Sequence, residues 1–379
     1  MTLLTRTLPG NARVAADLPG LTGLRGVAAL TVMLAHLGFG NIGPLFHVIL
    51  WHNAAVDLFF VLSCFTLLHV YDRPGRSMDW VQYAVRRVAR IYPLYLFLFL
   101  LAMAHNARFY VTQWKQFRLE SLRQLLLVNC WPLIGNNVSW IVPSWSLSVE
   151  WLAYFTFFPL LFLLHRRYRM PAPLFMMPLA LLASAGAYLV YTRLFQWGDL
   201  SIHSERLPIL RQIAPAGRVL LGFLAGYAVF VCDRALRRDR IDQRASGPLV
   251  RGAAIVTALL TLAILGLGAA GWLPIDLMIV MAPLLVLCAA SAGNVVSSPL
   301  SLRPLLWLGE LSYSIYLVHY PVLIVTEEVL QLGLGVTHDW FITHPGAMAP
   351  LMTAISLGLA IALHYGLEIP AGRWIRRRR

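Results

Sequence analysis

Ten apolar runs of spanning length divide the chain almost without remainder. They fall at about 22–40, 50–70, 91–105, 145–165, 174–195, 213–232, 251–271, 276–292, 305–330 and 348–368. A helix needs roughly 20 apolar residues to cross a hydrocarbon layer about 30 Å thick. Inside that layer only helices or closed barrels satisfy every backbone group. These runs are continuous rather than alternating, so the expected fold class is all-α: a polytopic membrane protein of about ten transmembrane helices. Composition agrees, at 59% hydrophobic and 13% charged, where soluble proteins carry about 25% charged residues. No soluble domain fits between the runs, so 1–379 reads as a single transmembrane domain with its chemistry inside the bundle or in short loops. One more run, 122–134 (LRQLLLVNCWPLI), is too short to cross and reads as a re-entrant or interfacial segment.

A net charge of +14 would suggest nucleic acid in a soluble protein; here it is read loop by loop. With the N-terminus inside, the inner segments hold 22 of the 31 Lys and Arg and the outer ones 8. That bias is the positive-inside pattern, and it predicts both ends in the cytoplasm. Residues 1–20, which include Arg6 and Arg13, form a cytoplasmic segment without the apolar core of a cleaved signal peptide. The RWIRRRR ending, with residues 373–379 as a basic tail, reads as a stop-transfer and lipid-surface anchor. Cys64, Cys130, Cys232 and Cys288 have neither disulfide-framework nor metal-ligand spacing, and no metal is expected.

The first run, LTGLRGVAALTVMLAHLG, carries Arg25 and His36. Eleven residues at 100° each is about three turns, so both lie on one helix face, about 16 Å apart along the axis. A buried Arg costs on the order of 2.5–3.5 kcal/mol on insertion scales and is retained where it faces protein or water. A snorkelling Arg and a His satisfied by a carbonyl would explain the pair without function; the other polar stretches favour function. Asp57 lies near the outer end of the second span, where it needs a partner or a proton unless the helix dipole alone holds it. Arg86, Arg87 and Arg90 cluster ahead of Pro93, which is expected to open the third span; Arg86 and Arg90 share a face at i, i+4. Their forks suit phosphate oxygens, and equally anionic lipid headgroups.

In PSWSLSVEW, Ser146 and Glu150 share a face about two turns from the outer surface, flanked by Trp145 and Trp151. A carboxylate there is costly unless it pairs or works. The ninth span, LLWLGELSYSIYLVHYPVLI, puts Tyr313, Tyr316 and His319 on one stripe, a cavity wall or a set of interhelical hydrogen bonds. The outer 196–217 loop carries Asp199, His203, Glu205, Arg206 and Arg211, the sixth span ends in Arg234, Arg237, Arg238 and Arg240, and spans seven and eight read as scaffold.

Taken in order, LTGLRGVAALTVMLAH, VDLFFVLSCF (56–65), RRVARIYPLY (86–95), PSWSLSVEW and LGELSYSIYLVHYP (308–321) resemble the acyltransferase-3 family of membrane acyltransferases, over nearly the whole chain. The Arg-x10-His arrangement is the most specific element. One departure is Cys64, where the family usually has Gly, a substitution expected to crowd a helix contact. No SGNH hydrolase-like domain follows, so the resemblance is to the stand-alone type. It implies transfer of an acyl group, most often acetyl, from cytoplasmic acyl-coenzyme A (acetyl-CoA) to a hydroxyl of a cell-envelope or exported carbohydrate or glycolipid, in the cell inner membrane. It also implies that Arg25 and His36 are essential and that the 86–90 arginines contact the coenzyme.

The chemistry fits on its own terms. A hydroxyl acceptor needs a base, and His36 has a suitable ordinary pKa. Glu150 or Asp57 could orient it, as in triad logic. Arg25 with Arg86, Arg87 and Arg90 suits the donor's phosphates, while Ser146, Tyr313, Tyr316 and His319 are the expected substrate-binding residues. Competing readings are a lipid or secreted-metabolite acceptor, and a proton-coupled transporter; the latter predicts internal repeats that the sequence does not show.

Overall fold

The computed structural model describes residues 18–72, 77–110, 112–168, 175–195, 208–237, 247–335 and 344–377. Residues 1–17 with Arg6 and Arg13, the loop residues Asp199, His203, Glu205 and Arg206, and Arg238 and Arg240 lie outside them. The elements in chain order are α1 (Pro19–His36), α2 (His52–Tyr71), α3 (Trp80–Ala107), α4 (Trp114–Leu125), α5 (Ser144–Phe155), α6 (Phe157–Arg167), α7 (Met176–Val190), α8 (Pro208–Arg237), α9 (Pro248–Ala269), α10 (Met278–Ala290), α11 (Ser297–Leu300), α12 (Arg303–Leu334), α13 (Pro345–Leu363) and α14 (Ile369–Arg377). The protein is an all-α membrane protein. Eight stretches of the described residues are long and apolar enough to cross: Phe46–Tyr71, Trp80–Ala107, Ser144–Arg167, Met176–Leu194, Gln212–Arg237, Pro248–Ala269, Arg303–Gly333 and Met348–Arg377. The two other runs of the sequence are α1, whose Arg25 and His36 dilute its hydropathy, and the shorter Ile275–Ala290 stretch.

α1 runs through the middle of the bundle, against α12, α2 and α10. Lipid tails are as apolar as leucine, so helices in a membrane associate through close packing rather than the hydrophobic effect, and small residues mark the contacts. Glycines at positions 20, 23 and 26 do this along α1. A Cβ on Gly23 would stand 1.8 Å from the Leu300 carbonyl oxygen, and one on Gly309 of α12 only 2.0 Å from that of Thr22. The two "scaffold" spans differ sharply. α9 shows Leu249, Leu259 and Leu262 outward, each more than half exposed, as a lipid-facing helix would, whereas α10 is buried along nearly its whole length.

Two expectations about boundaries change. Pro93 does not open the third span: α3 starts at Trp80, capped by Asp79, whose side chain accepts from the Gln82 N–H at 2.9 Å. The arginine cluster therefore rides inside the helix. Proline takes away the donor for the carbonyl four residues back, here Ala89. Gly372 of α14 lies against that carbonyl, 2.8 Å from where its Cβ would be. The 122–134 run is not one element either. It holds the last turn of α4 and then irregular chain up to Pro143, with Leu127, Leu133 and Asn137 at positive φ. Protein groups satisfy this backbone, as irregular chain within a bundle requires. The Ser148 hydroxyl of α5 accepts from Cys130 N–H and donates to the Leu127 carbonyl, and buried Asn129 donates to the Val138 carbonyl.

The segments expected on one side meet at one end. Asp72, after α2, pairs with His165 and Arg166 of α6 and Arg234 of α8, while α14 packs on the start of α3.

Candidate active site

The helices leave a polar cavity of about 80 Å³, several waters' worth of room. α1 supplies Arg25, α2 Ser63, α3 Arg87 and Arg90, α5 Ser146, Glu150 and Tyr154, and α12 Tyr313 and Tyr316. Motifs spread over nearly 300 residues of sequence thus face one space, roughly where α1, α2, α3, α5 and α12 converge.

Each charge in this space is held in a specific way. Arg25 donates to the Thr66 hydroxyl at 3.4 Å. Glu150 accepts at one oxygen from both Ser63 Oγ and Tyr154 OH. The Arg87 guanidinium lies over the rings of Tyr83 and Tyr154, at 5.8 and 5.6 Å, and its buried Nε has no hydrogen-bond partner. Arg90 sits over the Tyr313 ring at 5.7 Å and 3.8 Å from Glu368. Arg86 does not line the cavity; it donates to Gln82 at 2.8 Å. The useful pair is therefore i, i+3 (Arg87 and Arg90), not the i, i+4 pair.

His36, the last residue of α1, lies beyond the cavity. Its Nδ1 is 3.1 Å from Nε2 of His319, and the two rings stack at 5.1 Å between centroids. His52 and Tyr320 stand edge-on to it at 5.5 and 6.0 Å. Tyr316 links the two places. Its hydroxyl is 2.7 Å from Ser146 Oγ on the cavity side, and its ring centroid is 6.2 Å from that of His319. The Ser146 proton goes to the Pro143 carbonyl at 3.0 Å, so Tyr316 is the donor to Ser146.

Neither proposed carboxylate reaches His36. Glu150 is bound to Ser63 and Tyr154. Asp57 is gripped at both oxygens by Arg218, with Asp57 2% and Arg218 0% exposed. Arg218, counted above among the outer loop charges, is a buried residue packed between the Trp145 and Tyr191 rings at 5.1 and 4.9 Å.

Ser63 and Tyr154, which line the cavity and bind Glu150, escaped the sequence reading, as did His364 and Glu368 beside Arg90. Glu368 is buried, accepts from Ser314 Oγ at 2.7 Å and lies 2.8 Å from His364 Nδ1. His364 to Glu368 form a π-helical turn between α13 and α14, a distortion found often at functional sites. Their signal was available: two ionisable groups at i, i+4 inside an apolar run. Among the described residues no group of three His, Cys, Asp or Glu could hold a metal ion.

Residues 18–365 match the family described as "Acyltransferase domain". The chain belongs to the acyltransferase-3 family. Among its relatives is acyltransferase MdmB of Streptomyces mycarofaciens, 30% identical over 390 residues, covering 96% of this chain and 93% of that protein. The peptidoglycan O-acetyltransferase OatA of Listeria monocytogenes is 23% identical over 347 residues, covering 83% of this chain and 50% of OatA. The O-acetyltransferase OatA of Staphylococcus aureus is 26% identical over 333 residues, covering 83% and 52%. The chain thus spans about half the length of the OatA proteins and nearly all of MdmB. No solved structure matches it. The family and the helices together make the protein a multi-pass membrane acyltransferase.

Proposed function

We propose that the protein transfers an acyl group, acetyl in the first instance, from acyl-coenzyme A to a hydroxyl of a cell-envelope or exported carbohydrate. In this reading the arginine end of the cavity faces the cytoplasm and the protein resides in the plasma membrane. One observation carries the proposal: Arg25, Arg87 and Arg90 converge on a single cavity within the bundle. Converging guanidinium forks are what an elongated, phosphate-bearing donor requires. The buried Arg87 Nε without a partner is a donor waiting for an acceptor. The O-acetyltransferase relatives support acetyl as the group, and those named for peptidoglycan support a carbohydrate acceptor.

The chemistry is an acyl transfer between oxygen and sulfur. The thioester end passes Tyr316 to reach His36. The imidazole takes the proton of the acceptor hydroxyl as its oxygen attacks the thioester carbonyl carbon. The carbon–sulfur bond breaks, and the departing sulfur takes the proton back from the imidazolium. An ester and free coenzyme A result, and His36 returns to its neutral form. Glu150, held by two hydroxyl donors, supplies negative charge among three arginines and keeps the cavity polar.

The test is acyl transfer by the purified protein in liposomes, with labelled acetyl-coenzyme A inside and an oligosaccharide acceptor outside. Ester formation on the sugar that disappears in His36→Ala supports the reading. A lipid or small-metabolite product instead would replace the acceptor. Absence of acetyl-coenzyme A binding by calorimetry would overturn the donor.

A further inference from the structure

We infer that His319 is the positioning residue that fixes His36 in the one tautomer able to act as a base. The inference rests on the acyl-transfer reading and adds to it the residue that prepares the imidazole. It follows from counting protons. A neutral imidazole carries one N–H and one lone pair. His319 Nδ1 lies 3.0 Å from the Ile315 carbonyl oxygen, which can only accept. The His319 proton is therefore on Nδ1, and its Nε2 holds the lone pair. That Nε2 faces His36 Nδ1 at 3.1 Å, so His36 must donate there. The His36 proton is then on Nδ1, and Nε2 is left with the lone pair that takes the hydroxyl proton.

One neighbour shares this arrangement: the Val32 carbonyl, one turn back on α1, also lies within hydrogen-bonding reach of the His36 ring, and with the proton on Nδ1 the same N–H serves both acceptors. His52 puts its own Nδ1 3.1 Å from the Leu50 carbonyl oxygen, so its N–H is committed away from His36. Glu150 and Asp57, the two carboxylates that could have taken the orienting role, are bound elsewhere. His319 itself cannot be the base. Both its nitrogens are engaged, and it is 0% exposed on a helix in contact along its length with α1. When His36 becomes imidazolium its Nδ1–H still donates to the His319 lone pair, so the same bond serves before and after proton transfer. A second histidine, aligned by a backbone carbonyl, thus does the job a carboxylate does in a Ser-His-Asp triad.

The test combines His319→Ala and His319→Gln with nitrogen NMR of histidine-labelled protein. The His36 signals are assigned as those lost in His36→Gln. The glutamine side chain can offer a carbonyl oxygen near the position of the missing Nε2, so it keeps the acceptor. Wild type is expected to show His36 protonated on Nδ1 and bare on Nε2. His319→Gln should keep that tautomer and turn over within about tenfold of wild type. His319→Ala should lose it and drop kcat by about 10²-fold, part of the usual general-base contribution, with KM for acetyl-coenzyme A unchanged. Three results would overturn the inference: His36 protonated on Nε2 in the wild type, an unchanged tautomer in His319→Ala, or equal loss in the Gln and Ala variants at equal folded yield. The NMR readout needs no turnover. A protein that transfers no acetyl but shows the Nδ1-protonated His36, lost in His319→Ala, would refute the proposed reaction and leave the positioning intact.

Discussion

Asp57→Asn is expected to damage stability and spare the chemistry. Asp57 and Arg218 are buried and meet at both carboxylate oxygens, and neither lines the cavity. Removing one partner of such a pair leaves an uncompensated buried charge and costs roughly 3–5 kcal/mol, while replacing both partners by apolar groups is often neutral. At about 1.4 kcal/mol per decade, Asp57→Asn should shift the folding equilibrium by about two to three and a half decades. Asp57→Leu combined with Arg218→Met should recover most of that loss. The assay is denaturant unfolding of the purified protein in detergent, with acetyl-coenzyme A affinity and turnover per folded molecule measured alongside. Both functional values should stay within a few-fold of wild type in the double variant. If Asp57→Asn unfolds normally but loses turnover by 10²-fold or more, Asp57 belongs to the reaction, as its place in the sequence suggests.

The arginines should separate by position: Arg87→Ala or Arg90→Ala each loses a charge-assisted contact worth roughly 1.5–3 kcal/mol, whereas Arg86→Ala, bound to Gln82 outside the cavity, should leave donor affinity by calorimetry within about twofold. Gly309→Val should abolish folded yield in membranes, because its side chain would enter the Thr22 carbonyl; normal yield and turnover would remove the glycine seam as a packing determinant. Burial pushes the Cys130 thiol up to about 12, and since the thiolate is the reactive form, alkylation should be negligible at neutral pH and increase only as pH approaches that value. All four cysteines are free and buried, so the native chain is a quiet background for topology: impermeant maleimide on intact cells should label Trp272→Cys and not Ser77→Cys, and the reverse pattern would invert the orientation.

The fold class was legible because bilayer length and backbone satisfaction leave a run of apolar residues few alternatives. Arg25, Arg87, Arg90 and Glu150 were legible because a charge inside such a run is costly and needs a reason. What sequence could not supply was partnership. Asp57 and Glu150 looked alike, two carboxylates in the outer part of a span, yet one is neutralised by an arginine 161 residues away and the other is held by hydroxyls in the cavity. Arg218 itself looked like a loop charge. Helical phase was legible for Arg25 and His36, but phase on one helix does not say what stands opposite. Between their levels Tyr316 of α12 intervenes, and only the packing of α12 on α1 reveals that His36 meets His319 rather than a carboxylate.

The departure at Cys64 shows how such partnership can absorb a change that the sequence marks as a defect. A side chain where the family usually keeps glycine should hold two helices apart. Cys64 is nevertheless 0% exposed, so the contact is closed. The room comes from the opposite helix. Gly226 of α8 faces this turn of α2, where a Cβ would come 2.3 Å from the Val61 carbonyl oxygen and 3.0 Å from the Cβ of Cys64. One glycine at the crossing is enough for close approach, and it does not matter to the packing which helix supplies it. Gly226→Ala should therefore be far more damaging in this chain than Cys64→Gly, which removes a small buried CH2–SH group and introduces no clash. The double variant Cys64→Gly with Gly226→Ala should remain below wild type in folded yield, because the Val61 carbonyl still blocks the new methyl. Full recovery in that double variant would mean that the Cys64 side chain alone, and not the backbone approach, sets the spacing between α2 and α8.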